Sequence, residues 1–226
     1  MIAYEIEYSK RRKTLGIFVE RDKRVIVRAP EGLAPSRIAE IVASKKDWIE
    51  AKLNDERKYP DHPQRKEFVS GESMMLLGHS HNLYVREDEF DGIHFDGVSF
   101  EIAKSNQSKA NELFTQWYKN FALKTIEPMA QSFADRIGVK YKQCNISETM
   151  KYRWASCTPK GNINFNWRII KAPKFVIEYL IVHELTHLRM SNHSDGFWNA
   201  VSIQLPRYLE AKEWLKNNGN LIETDF

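Results

Sequence analysis

The chain has 226 residues, 42% of them hydrophobic, and a formal net charge of +4. That suits one large domain or two small ones with a substantial core, and it excludes global disorder. No apolar run is long enough to span a bilayer, and Met1 to Glu7 carry acid where a signal peptide would carry base. Two cysteines, Cys144 and Cys157, make no disulfide framework of the secreted kind, so a reduced, cytoplasmic protein is expected.

The excess base is N-terminal. Residues 1–60 hold 14 Lys+Arg against 10 Asp+Glu, while residues 61–226 hold 20 against 20. The densest point is Lys10 to Lys13, read either as a solvated hairpin tip or as a phosphate contact. Ile2, Tyr4 and Ile6 alternate with polar neighbours at strand period, and Leu15–Glu20 with Arg24–Arg28 reads as a hairpin turning at Arg21–Lys23. Ile38, Ile41, Val42, Trp48, Ile49 and Leu53 recur at helical spacing, and that helix is expected to end near Glu56, before Pro60 and Pro63. Met74–Leu77 and Asn82–Arg86 then flank Gly78–His81, and Ile93–Phe95 and Val98–Ile102 turn at Asp96-Gly97. The polar stretch Ser105–Asn111 sets the expected domain boundary: 1–104 a β-rich N-terminal region with one helix, 105–226 a second domain.

That second domain opens with a long helix whose Leu113, Trp117, Phe121, Ile126, Met129, Phe133 and Ile137 can share a buried side, with Pro128 as a point of kinking or splitting. Strand-like segments follow at Cys144–Met150 and Asn162–Arg168, with Gly161 in the turn between Cys157 and Asn162. Ala172-Pro173 begins a further helix, a short one starts near Ser194, and a last one runs from about Pro206 to Gly219.

The helix after Pro173 carries His183-Glu184-Leu185-Thr186-His187, with His193 six residues on. Residues four apart share a helical face, so His183 and His187 can hold one ion together, and His193 is the third ligand if the chain turns back at Ser191-Asn192. Three neutral imidazoles leave a zinc ion its full charge, which acidifies a bound water, and Glu184 stands ready to take its proton. Tyr179 to Val182 are apolar on nearly every side, so the helix is buried, and two histidines and a carboxylate there call for a partner such as a metal. Asp195 is the alternative third ligand, or orients a ligand histidine. The histidine spacing is that of the metzincins, but their glycine position holds Met190, the last methionine in the chain, so their methionine turn has no counterpart.

Three blocks carry a resemblance to a known family. They are Arg11–Leu15 with Val25–Pro30; Arg153–Cys157 through Gly161–Asn164 to Asn166–Arg168; and Val182–Leu188 with Asn192–Ser194 and Phe197-Trp198. On these the chain resembles the YgjP-like metallopeptidases and is distantly similar to the SprT-like proteases. The resemblance implies an α+β protein in which an N-terminal β-rich region precedes a zincin-like catalytic region with its active-site helix under a small sheet. It implies one Zn2+ on His183, His187 and His193, with Glu184 as base.

In zincin-like folds a sheet edge holds the substrate strand, and Asn162–Arg168 is the candidate here, with Ile163, Phe165 and Trp167 on one face and Asn162, Asn164 and Asn166 on the other. Candidates to touch substrate or the developing oxyanion are Arg153, Tyr208 and Asn164, with Arg189 and Arg168 as further cations. Trp154, Phe197 and Trp198 read as core. His79 and His81 read as surface residues and Cys157 as a small buried one. The expected activity is zinc-dependent peptide hydrolysis acting on a peptide or protein substrate. Alternatives are hydrolysis of a nucleotide phosphoanhydride, a DNA-associated protease using the basic N-terminal region to meet nucleic acid, and a purely structural zinc. No membrane partner is expected, and no oligomeric state is implied.

Overall fold

In a computed structural model, residues 2–19, 23–54, 66–150 and 153–223 are described. The chain divides into two compact units, residues 1–64 and 65–226. In the first, strands β1 (Glu5–Ser9) and β2 (Gly16–Val19) flank β3 (Val25–Pro30), β1 parallel to it and β2 antiparallel. Helices α1 (Pro35–Ser44) and α2 (Lys46–Leu53) follow, and Val25, Val27, Ala29, Ile38, Val42 and Ile49 form the core. The single helix expected here is divided at Lys45, whose backbone (φ −108°, ψ 12°) leaves the helical region. The expected hairpin pairs as β2 and β3, but its turn at Arg21-Asp22 lies outside the described residues, as do Glu56, Pro60 and Pro63. Lys10–Lys13 is not a hairpin tip. It lies in the crossover between β1 and β2, because both strands pair with β3 rather than with each other.

The second unit begins with β4 (Ser73–Leu76), β5 (His79–Arg86), β6 (Ile93–Phe95) and β7 (Phe100–Ala103), in the order β4-β5-β7-β6. The β4–β5 connection is tighter than expected: only Leu77 and Gly78 turn, both at positive φ (49° and 85°), which places His79 and His81 within the strand. Helix α3 (Ala110–Ile137) crosses next to this sheet. Phe68, Met74, Leu76, Leu83, Phe100 and Ile102 share one core with Phe114 and Tyr118 of α3. That shared core is why the units part at 64/65 and not at 104/105.

Along α3 the fully buried line is Ala110, Phe114, Tyr118, Ala122, Ile126, Ala130 and Ala134, a strict four-residue repeat. The larger residues expected to be buried, Leu113, Trp117, Phe121, Met129 and Ile137, flank it as partly buried shoulders. Alanines at the contact line let another helix approach closely, which a count of bulky residues does not reveal. Pro128 neither splits nor ends the helix. It is exposed, so water can take up the carbonyl its ring leaves unbonded.

The remaining strands, β8 (Gln143–Ser147), β9 (Ala155–Cys157) and β10 (Asn162–Asn166), form a sheet in the order β8-β10-β9. A 3-10 turn at Trp167–Lys171 leads to α4 (Lys174–Thr186), followed by α5 (Asp195–Gln204) and α6 (Tyr208–Glu223). The class is therefore α+β. α4 packs against α3, α5, α6 and β9 and is buried on nearly every side. No helix among the described residues is long and apolar enough to cross a membrane.

The start of α4 is pinned from the β4–β5 turn. Leu77 and Gly78 donate their N–H groups to the carbonyls of Ile170 and Lys171, each at 2.9 Å. A Cβ on Gly78 would meet Pro173 at 2.8 to 3.1 Å, including its Cα. Gly71 also has positive φ (91°) but open space around it. Gly71→Ala should therefore cost about 1–2 kcal/mol, for the backbone alone, and Gly78→Ala roughly 1–3 kcal/mol more for the collision with α4. Urea denaturation of the two variants measures the difference; equal losses would remove the role given to the Gly78–Pro173 contact.

Candidate metal centre

α4 presents Tyr179, His183 and His187 along one face, each four residues after the last. The helix ends at Thr186, earlier than a turn at Ser191-Asn192 requires, and Met190 closes the next turn by donating its N–H to the Thr186 carbonyl at 3.0 Å. Among the described non-glycine residues only Lys23, Phe68 and Leu77 have positive φ, so Asn192 reverses the chain without left-handed backbone. The reversal brings His193 back onto the first two histidines. One ring nitrogen from each of His183, His187 and His193 lies within 4.8 Å of the others. The exposed Asp195 opens α5 and is not in this cluster.

The rings rest on a buried floor. Phe197, on the first turn of α5, is fully buried, and its ring centre lies 4.9, 4.7 and 4.8 Å from those of His183, His187 and His193. Trp198 stacks against His193 at 5.6 Å and Tyr208 at 5.5 Å, and Tyr179 meets His183 edge-on at 5.7 Å. Phe197 is core, as expected, and it is core against which all three imidazoles pack. Tyr179 was hidden in an apolar run; its spacing one turn before His183 was the available signal. A surface pocket of about 420 Å³ shares Tyr179 and Tyr208 with this aromatic wall and is further lined by Phe175, Glu178 and Leu205.

The chemistry of the donor set fits a metal ion. Burial first, then the neighbouring His187 and His193, depress the His183 imidazole to about 3, and burial also lowers His193. These two rings are therefore neutral near pH 7, with lone pairs to offer. The His187 Nδ1 lies 3.0 Å from the Met190 carbonyl oxygen, which fixes its proton there and leaves Nε2 for a ligand bond. The Nε2 atoms of His183 and His193 are 3.0 Å apart. Two ligands at zinc–nitrogen distances of roughly 2.0–2.1 Å on a tetrahedral ion stand about 3.3 Å apart.

Glu184, next to His183 on α4, is 5% exposed. Burial raises its carboxyl to about 7, against the pull of the Arg153 guanidinium and of the Cys157 backbone N–H, which bonds to it. That N–H belongs to the outer edge of β9. Trp154 and Thr158 turn their polar groups to β10, bonding Asn166 and Asn162 at 2.8 Å each, so by alternation Ala155 and Cys157 turn theirs outward.

Several candidates fall elsewhere. β10 is the central strand of its sheet and so has no open edge; the edge beside α4 is β9. Trp167 belongs to the 3-10 turn, not the strand. Asn164 is committed to the sheet, donating to Ser156 at 3.4 Å and accepting from Asn145 at 3.1 Å. Arg189 caps the end of α3, donating to the Gly138 carbonyl at 3.1 Å, and Arg168 is buried against Asn166 and Trp167. His81 lies 2.9 Å from the Val98 carbonyl, beside Phe95 and Phe100, and takes no part in a metal cluster among the described residues. Burial, then Glu184, pushes the Cys157 thiol up, away from reactivity.

Two imidazoles from the end of a buried helix and a third from the loop that follows converge beside a carboxyl, a cluster able to hold a metal ion. The chain matches the family described as YgjP-like, metallopeptidase domain, over residues 13–218, and it belongs to that family. It is a metallopeptidase by that membership. The crystal structure of the metallopeptidase zymogen of Pyrococcus abyssi abylysin is similar over 40% of this chain and 91% of its own, at 24% identity and a TM-score of 0.38. No curated protein matches.

In the metal-free chain the buried carboxyl has a measurable signature. Its folded value, about 7, lies above its ordinary 4.5, so the unfolded chain releases this proton first. Its contribution to stability is therefore present below about pH 4.5, is lost as pH rises to about 7, and changes no further above that. Metal-free Glu184→Gln should escape a penalty of about 3 kcal/mol at pH 8, and show little difference from wild type in this respect at pH 4.5. Denaturation across pH with chelator present is the check; parallel pH profiles would refute it.

Proposed function

We propose that the chain is a zinc-dependent peptidase with a zincin-like catalytic arrangement, in which His183, His187 and His193 hold one ion and Glu184 is the catalytic base. The convergence of the three imidazole nitrogens within 4.8 Å, with Glu184 adjoining, carries this reading. A zinc ion on three neutral imidazoles retains its full charge and acidifies water towards a pKa of about 7. Glu184 takes the proton of the attacking water on its carboxylate and passes it to the leaving amine. Burial holds the metal-free carboxyl near 7, and a bound cation would favour its ionised, proton-accepting form. Cys157 N–H orients the carboxylate, and Arg153 limits how far burial can neutralise it. Tyr179, kept protonated by burial with its hydroxyl pushed to about 12, remains a donor at neutral pH. Arg153 and Tyr208 are the groups we assign to the developing oxyanion.

Substrate is expected as an extended peptide along the outer edge of β9, where the Ala155 backbone groups face outward and Cys157 already reaches Glu184. The phosphoanhydride alternative required Arg153, Arg168 and Arg189 around one site, and two of the three are committed elsewhere. Its two unbridged cysteines favour a reducing compartment, and we place the protein in the cytoplasm.

The decisive comparison is zinc-loaded wild type against Glu184→Gln, assayed on mixed peptides and unfolded protein. The variant should keep one zinc per chain by elemental analysis and lose about 10²–10⁴-fold in kcat. Undiminished cleavage by a zinc-replete variant would sink the assignment of Glu184. Cleavage that survives full removal of zinc would sink the metal.

A further inference from the structure

A cation that neither motif nor spacing singles out stands beside the metal-binding rings. Lys212 lies one turn after Tyr208 on α6, so the two share a face. Its Nζ sits 4.5 Å from the centre of the Trp198 ring. The same ring stacks against His193 at 5.6 Å. Lys212 is exposed, and among the described residues no carboxylate pairs with it; Glu210, on the same helix, is engaged by Arg207. An aromatic face positions an ammonium without neutralising it, so the charge stays available to a ligand. It already reaches His183 and His193, adding to the depression of both.

Its location separates it from the other cations. Arg153 acts on Glu184, and Arg189 caps α3. Lys212 is left on the His193 side. The two steps from His193 to Trp198 and from Trp198 to Nζ, 5.6 Å and 4.5 Å, reach no further than about three residues of extended chain.

We propose that Lys212, seated on Trp198, forms a carboxylate-binding subsite that selects peptides carrying a negative charge within about three residues of the bond presented to the metal. The cleavage this selects for rests on the peptidase reading; the binding does not. The carboxylate has two sources, a chain terminus or an Asp or Glu side chain. A preference for the first makes the protein a trimmer of chain ends, and for the second an enzyme for acidic segments.

The test measures binding in zinc-loaded Glu184→Gln protein by calorimetry. Four short peptides of one apolar sequence are compared: amidated, free at the C-terminus, amidated with a central Glu, and amidated with a central Lys. At least one anionic peptide should bind about three- to tenfold more tightly than the neutral one, and the Lys peptide more weakly. Adding Lys212→Met, which keeps the apolar stem over Trp198, should bring those ratios close to one. Lys212→Arg should preserve them and Lys212→Glu invert them. About 0.5 M salt should shrink them. Whichever anionic peptide gains identifies the source of the carboxylate. Ratios near one with Lys212 present, or ratios unmoved by Lys212→Met, overturn the subsite. Lys212-dependent binding without cleavage of any of the four by wild type leaves the subsite standing and counts against the peptidase reading instead.

Discussion

Everything at this site follows from one constraint: a helix buried on nearly every side carries Glu184 into a place water barely reaches, with His183 partly buried beside it. Polar groups moved there are costly unless something replaces their hydration. The His183 imidazole answers by staying neutral, pushed to about 3, and Glu184 by rising to about 7. The same burial therefore gives the metal-free site a neutral imidazole and a carboxyl that exchanges its proton near neutrality. Burial among the apolar residues around α4 is the first cause of both; His187, His193 and Lys212 add to the depression of His183, and Arg153 and the Cys157 N–H restrain Glu184.

Around that helix each neighbour supplies one element of geometry. Phe197 sets the plane on which three imidazoles converge, and Trp198 and Tyr179 close the sides. β9 lends a backbone N–H from its outer edge to the Glu184 carboxylate. Gly78 lets the β4–β5 turn close on Pro173, anchoring the end of α4 farthest from His183 and His187. α3 carries alanines along its buried line, and α4 packs against it.

Parts of this were legible from residues alone, and others were hidden for identifiable reasons. The four-residue spacing of His183 and His187 is a property of the helix itself, so it could be read directly. The role of β10 could not. Its alternation correctly put Ile163 and Phe165 in the core, but alternation is the same for edge and centre, and only the pairing with β8 and β9 shows which it is. On α3, Ile126 and Phe133 are buried as expected, but Leu113, Trp117, Phe121 and Met129 each stand one position before a fully buried residue, Phe114, Tyr118, Ala122 and Ala130, two of them alanines that bulk does not reveal. Lys212 escaped notice because a lysine on an exposed helix looks like any other until Trp198 and His193 are seen beneath it.

By itself the sequence determined that His183, Glu184 and His187 stand together on one helix and that this helix is buried, since these depend on residue type and on periodicities of three to four residues, which are local. Only the tertiary structure decided that His193 rather than Asp195 completes the cluster, that β9 rather than β10 offers the open edge, and that the units divide before the first sheet of the second unit. Each of these depends on contacts between residues distant in the chain. A strand's neighbours, a loop's return and a shared core are set by which surfaces meet, and local pattern is degenerate to that choice.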